Sequence, residues 1–241
     1  MGSNGRFNNV ILLGSNHYAS PVASANTHSI DLEASSSQYL SITDANQTGL
    51  DITGDMTIET WVNFETIGSD RFLLSKWDGS SNRSYLLFYK QSKSAIRFNV
   101  SSNGSNASSV DFSFTPTLST WYHLAITYDA SLGSAEMFVN GISQSTKTGM
   151  NIGIYDSTAD FIIGSKEGTS FYFDGLIDDV RIWDVIRTDA EILANYNKEL
   201  TGTESNLQGY WKLNNSANDL TSNGNDLTEN NSPVYSTDVP F

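Results

Sequence analysis

Residues 173–184 read Phe-Asp-Gly-Leu-Ile-Asp-Asp-Val-Arg-Ile-Trp-Asp, and residues 187–196 read Arg-Thr-Asp-Ala-Glu-Ile-Leu-Ala-Asn-Tyr. A glycine turn leads into an apolar strand with an acidic pair, and then into one short helix. Thr188 and Glu191 have the spacing of a capping box, in which the hydroxyl accepts from the third amide and the carboxylate reaches back. Ile192, Tyr196 and Leu200 would form its apolar stripe, and Gly202 would stop it. The rest of the chain is punctuated as short strands. A late helix in such a chain restricts it to an all-β architecture with a single helical insertion.

Strand patterns begin at Ser29–Leu32 and Gln38–Ile42. In Thr57–Phe64 the period of two places Ile58, Thr60, Val62 and Phe64 on one face and Glu59, Trp61 and Asn63 on the other. Further candidates are 71–77, 85–90, 95–100, 110–114, 121–128, 135–140, 160–164, 175–183 and 209–213. Asp78-Gly79, Asn103-Gly104, Asn140-Gly141 and Asn223-Gly224 supply turn chemistry between or beside them. Many short strands at near-regular spacing predict a two-sheet antiparallel β-sandwich. Trp61, Trp121, Trp183 and Trp211 lie in strand patterns and are expected to pack in the core, and His123 is expected to be structural. The organisation read from the chain is an N-terminal arm or irregular first strand over 1–28, one domain over 29–225 and a tail over 226–241.

Lys plus Arg total 13 against 27 Asp plus Glu, a formal charge of −14. That balance repels phosphate backbones and anionic bilayers, so neither nucleic acid nor a membrane surface is an expected partner. With no cysteine, disulfides, thiolate zinc sites and thiol catalysis are excluded. The longest apolar run near the start, Val10–Leu13, is far too short for a membrane span, and membrane insertion is not expected.

Six pieces in order carry a resemblance. They are Thr57-Ile-Glu-Thr-Trp-Val62, Thr120-Trp-Tyr-His-Leu-Ala-Ile-Thr-Tyr-Asp129, Ala135-Glu-Met-Phe-Val-Asn-Gly141, Phe161-Ile-Ile-Gly164, Phe173–Trp183 and the helix from Thr188. Together, over about residues 29–214, they resemble the laminin G-like and pentraxin-like concanavalin A-type jelly rolls. The resemblance implies two antiparallel sheets of six or seven strands each. It also implies a structural calcium ion near the loop Asp219-Leu-Thr-Ser-Asn-Gly-Asn-Asp226 and the acidic pair Asp178-Asp179. Asp219, Asn223 and Asn225 offer oxygens at loop spacing, and calcium takes six to eight such ligands. Neighbours in a strand face opposite ways, so only one of the pair can join a site, and Asp179 is the candidate. The double calcium site of pentraxins is not carried over, because Arg83, Ser84 and Tyr85 precede Leu86 and Ser165, Lys166, Glu167 and Gly168 follow Gly164, where most of its acidic ligands would stand.

Enzymatic patterns are absent. No Glu-x-Asp occurs to set an acid and a nucleophile on one strand face, and there is no Gly-x-Ser-x-Gly elbow or His-Glu-x-x-His helix. Saccharide sites combine an aromatic platform with amide and carboxylate oxygens. Trp77, Tyr155 and Tyr172 are the candidate aromatics, and Asp78, Asn82 and Arg83 the polar partners. The expected function is a non-catalytic recognition or adhesion module for surface glycans, acting outside the cell. The alternative is a virion decoration or fibre subunit whose partners are neighbouring structural subunits, with the terminal segments as clasping arms. Either is compatible with an oligomer.

Overall fold

The computed structural model describes residues 25–241, and each strand anticipated between Ser29 and Leu213 is present. Residues 1–24, most of the expected N-terminal arm, lie outside the described residues. In chain order the strands are β1 (Ser29–Leu32), β2 (Tyr39–Ile42), β3 (Met56–Phe64), β4 (Arg71–Asp78) and β5 (Asn82–Lys90). There follow β6 (Ala95–Gly104), β7 (Ala107–Ser113), β8 (Trp121–Asp129), β9 (Ser134–Val139) and β10 (Ile142–Lys147). The last are β11 (Phe161–Ile163), β12 (Gly175–Trp183), β13 (Leu207–Trp211), β14 (Thr228–Asn230) and β15 (Val234–Ser236), with helix α1 (Asp189–Asn195) after β12.

The first sheet runs β10-β9-β8-β3-β12-β1-β15, with β13 added to the far half of β12. The second runs β14-β2-β11-β4-β5-β6-β7. The described pairs are antiparallel, and the apolar faces meet in one core: Ile58, Val62, Phe64 and Leu124 from the first sheet against Leu74, Leu87, Phe98 and Phe161 from the second. Trp211 belongs to this core, stacked 5.2 Å from Phe161. Gly175 opens β12 at φ +132°, where an added Cβ would lie 2.1 Å from the Asn63 carbonyl oxygen, so a side chain there would push β12 off β3.

β3 and β12 are buried along their full length, although one face of their sheet points away from the core. That outer face is covered by α1 and residues 184–206. Ile192 of α1 packs on Ala125 and Phe138, while Trp183, Leu200, Leu207 and Tyr210 form a second cluster beside it. Between them lies a buried polar network. Arg181 pairs with Asp179, sits 3.5 Å from Glu59 and donates to the carbonyls of Asn195 (3.1 Å) and Lys198 (2.6 Å). Glu59 also accepts from the Trp183 indole (2.8 Å) and lies 3.3 Å from His123. Trp61 donates to the Tyr196 carbonyl (2.8 Å).

This network corrects two expectations. The helix stops at Asn195 instead of running on to Leu200, because Arg181 and Trp61 take up the carbonyls of Asn195, Tyr196 and Lys198 and fold the chain across the sheet. The capping box at Thr188 is present as expected. The acidic pair does not split between the two faces. Asp178 stands opposite Trp61 and Arg181 opposite Glu59, so two residues of β12 oppose Thr60 alone. This bulge, with Asp179 at φ +48°, turns Val180 into the core and keeps Asp178, Asp179 and Arg181 together on the outer side. Trp61 and Trp183 are accordingly buried on the outer face, not between the sheets, and Trp121 is partly exposed, donating to Asp238 at 2.9 Å.

The tail read over 226–241 supplies strands to both sheets: β14 pairs with β2 and β15 with β1. β14 (Thr-Glu-Asn) and β15 (Val-Tyr-Ser) lack the apolar run that marks the equally short β11 (Phe-Ile-Ile), so the sequence does not announce them. β10, Ile-Ser-Gln-Ser-Thr-Lys, is polar as befits an exposed edge.

Burial works to raise the Glu59 carboxyl, yet the His123 contact and the Arg181 and Arg187 charges outweigh it and hold the group below its ordinary 4.5. Glu59 therefore contributes stability above the ordinary glutamate range, and that contribution is lost as pH falls through its lowered value. Glu59→Gln is expected to be less stable than the wild type at pH 7, with the difference narrowing on acidification; denaturant melts across the acid range measure it.

Candidate functional site

With the outer face of the first sheet covered, the outer face of the second carries the candidate site. Strand register lines up Ser41, Ile162, Ser75, Leu86, Asn99 and Ser109 as one row across β2, β11, β4, β5, β6 and β7. Phe72, Trp77, Leu86 and Phe88 pack as an apolar cluster on it, Phe72 stacked on Phe88 at 4.3 Å and on half-exposed Phe171 at 5.7 Å. Ser84 Oγ and Asn99 Oδ1, on the neighbouring strands β5 and β6, are buried without hydrogen-bond partners among the described residues.

Beside this cluster a cleft of about 250 Å³ is floored by Trp77 and Ile162 and walled by Thr158, Ala159, Asp160, Asp78 and Glu167. One wall is fixed from below by Lys76. Its side chain is fully buried, and Nζ meets Asp44 (2.6 Å) and Asp51 (2.9 Å) while donating to the carbonyls of Ser157 (2.9 Å) and Ala159 (2.8 Å). Asn82 accepts from the Thr158 amide (2.9 Å), and Asp160 from the Asp44 amide (3.2 Å). The other wall is a turn closed by Lys166 and Ser170, in which Glu167 holds φ +57°. The Tyr172 hydroxyl donates to the Gly168 carbonyl (3.0 Å), bracing that turn.

Of the residues singled out in the sequence, Trp77 and Asp78 line the cleft and Asn82 secures its wall. Trp77 is 6% exposed, so it offers a small patch where an open platform was expected. Arg83 lies over its ring at 5.4 Å and spends its donors on the Gly79 (2.9 Å) and Ser105 (2.7 Å) carbonyls. Tyr155 packs against Gly104, and neither it nor Tyr172 lines the cleft. Asp160, Ile162 and Glu167 are lining residues that sequence reasoning did not select as ligands. They come from the ends of a three-residue strand and a turn, with no pattern marking their convergence.

The four proposed calcium ligands do not form a cradle. Asp219 accepts from the amides of Tyr210 (3.0 Å), Thr221 (2.9 Å) and Asn225 (2.9 Å) and from the Thr221 hydroxyl (2.8 Å). Asn225 Oδ1 takes the Thr48 amide (2.7 Å), and Asn223 donates to Gln208. Asp179 is held by Arg181 and the Tyr210 hydroxyl, the opposite end of the tyrosine whose amide binds Asp219. The loop's carboxylate is thus filled by protein donors, an Asx-type arrangement that does not fit a cation.

Oxygens without donors gather elsewhere. Among the described residues Asn26 Oδ1 and Glu199 Oε1 are buried without hydrogen-bond partners, and both residues line a shallow cleft. Asn26 donates to Asp178 (2.6 Å), whose carboxyl is pushed up to about 8 by burial, with Asp179 and Glu199 adding repulsion. Asp31, Glu33 and Glu65 form a separate group with carboxylate oxygens within 4.8 Å of one another. Among the described residues no helix is long and apolar enough to cross a membrane.

Residues 34–193 match the family described as the concanavalin A-like lectin/glucanases superfamily. No curated protein matches the sequence. Among solved structures, the chain is similar to a protein of Bacteroides ovatus ATCC 8483 provisionally described as carbohydrate-binding, with TM-score 0.68, 18% identity, and coverage of 87% of this chain and 59% of that one. It thus spans about three fifths of that protein's length. A heptameric SAP-like pentraxin of Limulus polyphemus aligns with TM-score 0.62 at 11% identity over 87% of this chain and 94% of that chain. A carbohydrate-binding module, CBM40, of a Ruminococcus gnavus IT-sialidase, bound to α2,3-sialyllactose, aligns with TM-score 0.54 at 16% identity over 69% and 95%. At these identities the likeness is one of fold.

Lys76→Met is expected to leave the sheets folded but loosen residues 157–160 and the segment carrying Asp44 and Asp51, because Nζ ties all of these to β4. Amide exchange of 157–160 should rise while that of β5 and β6 stays protected.

Proposed function

The chain belongs to the concanavalin A-like lectin/glucanases superfamily, and on that premise we propose that it is a non-catalytic recognition module that binds glycans on a cell or particle surface through the cleft at Trp77. The observation that carries this reading is the convergence, on one outer face, of an aromatic and aliphatic floor with the oxygens of Asp78, Asp160 and Glu167. Sugars present apolar ring faces beside hydroxyls, and such a floor and rim meet both. The cleft is smaller than the roughly 300–1,000 Å³ of drug-sized pockets, which suits one sugar ring better than a long chain. The carbohydrate-binding descriptions of the structural neighbours are consistent with it.

Binding without turnover is the form we favour. The carboxyl groups with raised pKa, Asp31, Glu65 and Asp178, lie outside this cleft, and a general acid is expected where such a shift meets the substrate. We place the module outside the cell. The assembly alternative gains nothing from the C-terminal segment, since β14 and β15 are committed to this domain's own sheets.

A glycan array on the intact protein tests the proposal. Binding to a saccharide class is expected, with Trp77→Ala weakening it about tenfold or more, as for a buried aromatic anchor. Because Trp77 also packs on Phe72 and Phe88, Asp78→Ala serves as the second variant. An array that stays blank, or binding indifferent to both changes, overturns the reading; release of reducing ends overturns its non-catalytic part.

Calcium enters the proposal as a structural ion beside Asp178, where Asn26 Oδ1 and Glu199 Oε1 lack donors among the described residues, and not at the Asp219 loop. Bound there, it would supply charge that tethers residues 25–26 and 198–199 to β12. Added calcium is then expected to raise the Tm, chelation to reverse this, and Asp178→Asn to abolish the response. An unchanged Tm on titration of metal-stripped protein would remove calcium from the account.

A further inference from the structure

We infer that the cleft at Trp77 selects its saccharide by charge, favouring sugars that carry a protonated amino group over their neutral counterparts and turning away those with carboxylate or sulfate groups. This rests on the glycan-binding reading above and names the ligand class of the same site.

Three of the cleft's lining side chains are the carboxylates of Asp78, Asp160 and Glu167, and among the described residues no lysine or arginine lines it. The nearby cations are committed. Lys76 is buried and saturated by Asp44, Asp51 and two carbonyls. Arg83 is occupied by the Gly79 and Ser105 carbonyls and the Trp77 ring. Lys166 lies 3.4 Å from Glu167 and offsets that one carboxylate; among the described residues Asp78 and Asp160 have no basic partner within ion-pair distance. A concave site lined by one sign of charge over an apolar floor focuses its field on whatever enters. An anionic sugar would add a further negative charge there, whereas an ammonium group would gain from two or three carboxylates.

Fold likeness does not decide this property. The CBM40 structure holding α2,3-sialyllactose, an acidic ligand, shares the architecture at 16% identity. The sign of the ligand is therefore set by side chains at strand ends and turns, and here three of them are acidic.

The test uses the intact protein and oligosaccharides matched in backbone: glucosamine oligomers with free amines, their N-acetylated forms, and uronate oligomers with sialyllactose as acidic probes. By calorimetry at low salt the free-amine oligomer is expected to bind about three- to fivefold more tightly than its acetylated form, the worth of one partly screened ion pair. High salt should narrow that gap. The double change Asp160→Asn with Glu167→Gln, which leaves Asp78 in place, should narrow it, and circular dichroism and Tm establish that the variant is folded. Equal or tighter binding of uronate or sialylated probes, or a gap that the double change leaves intact, overturns the inference while glycan binding stands. Binding to none of the probes and to nothing on the array overturns glycan binding itself, and this selection with it.

Discussion

Arg181 is the group on which the rest of the arrangement depends. It is fully buried on the outer side of the first sheet, between Asp179 and Glu59, with its remaining donors on two carbonyls of the segment after α1. A guanidinium in that position is tolerable only because carboxylates and carbonyls surround it, and stripping away one partner of such a set typically costs about 3–5 kcal/mol. The charge draws the chain after α1 down onto the sheet, and Trp61, Trp183 and Tyr210 close over the remaining apolar surface. One sheet is thereby packed on both faces. The proposed cleft lies on the outer face of the other sheet, where polar atoms of β5 and β6 lack hydrogen-bond partners among the described residues.

The sandwich was legible because its signals are local and redundant. Period-two alternation in Thr57–Phe64, the Asn140-Gly141 turn and the Thr188–Glu191 box each determine a stretch of backbone without reference to distant residues. What escaped was tertiary in origin. Nothing in Ile-Asp-Asp-Val announces a bulge at Asp179, because the extra residue is defined only against Thr60 of the neighbouring strand. The helix length misled for the same reason: the stripe continued to Leu200, which is indeed buried, but along a chain reshaped by the Arg181 and Trp61 donors.

The cleft was half legible. Trp77 and Asp78 stood out as an aromatic and an acid beside a glycine turn. Asp160 and Glu167 belong to segments on either side of β11, and only the pairing of β11 with β4 brings them to Trp77. The calcium loop shows the converse. Asp219, Asn223 and Asn225 have the residue types of a cation site, yet backbone amides of the same loop reach the Asp219 oxygens first and the Thr48 amide takes the Asn225 oxygen. Residue type alone does not separate a carboxylate that closes a turn from one that awaits a metal.

The places of β1 and β2 carry a kinetic consequence. Ile30 of β1 pairs with Ile177 on one side and Tyr235 on the other, and Leu40 of β2 with Ile163 and Glu229. Both neighbours of each early strand thus come from the last third of the chain. During synthesis β1 and β2 have nothing to pair with until most of the protein has emerged, while β4 to β7 and β8 to β10 each pair with their neighbours in sequence. Loop closure over such separations is slow. Unpaired, β1 and β2 would present open edges in the meantime, so the interval before β11 and β12 arrive is when a nascent chain is most exposed to pairing with another copy of itself.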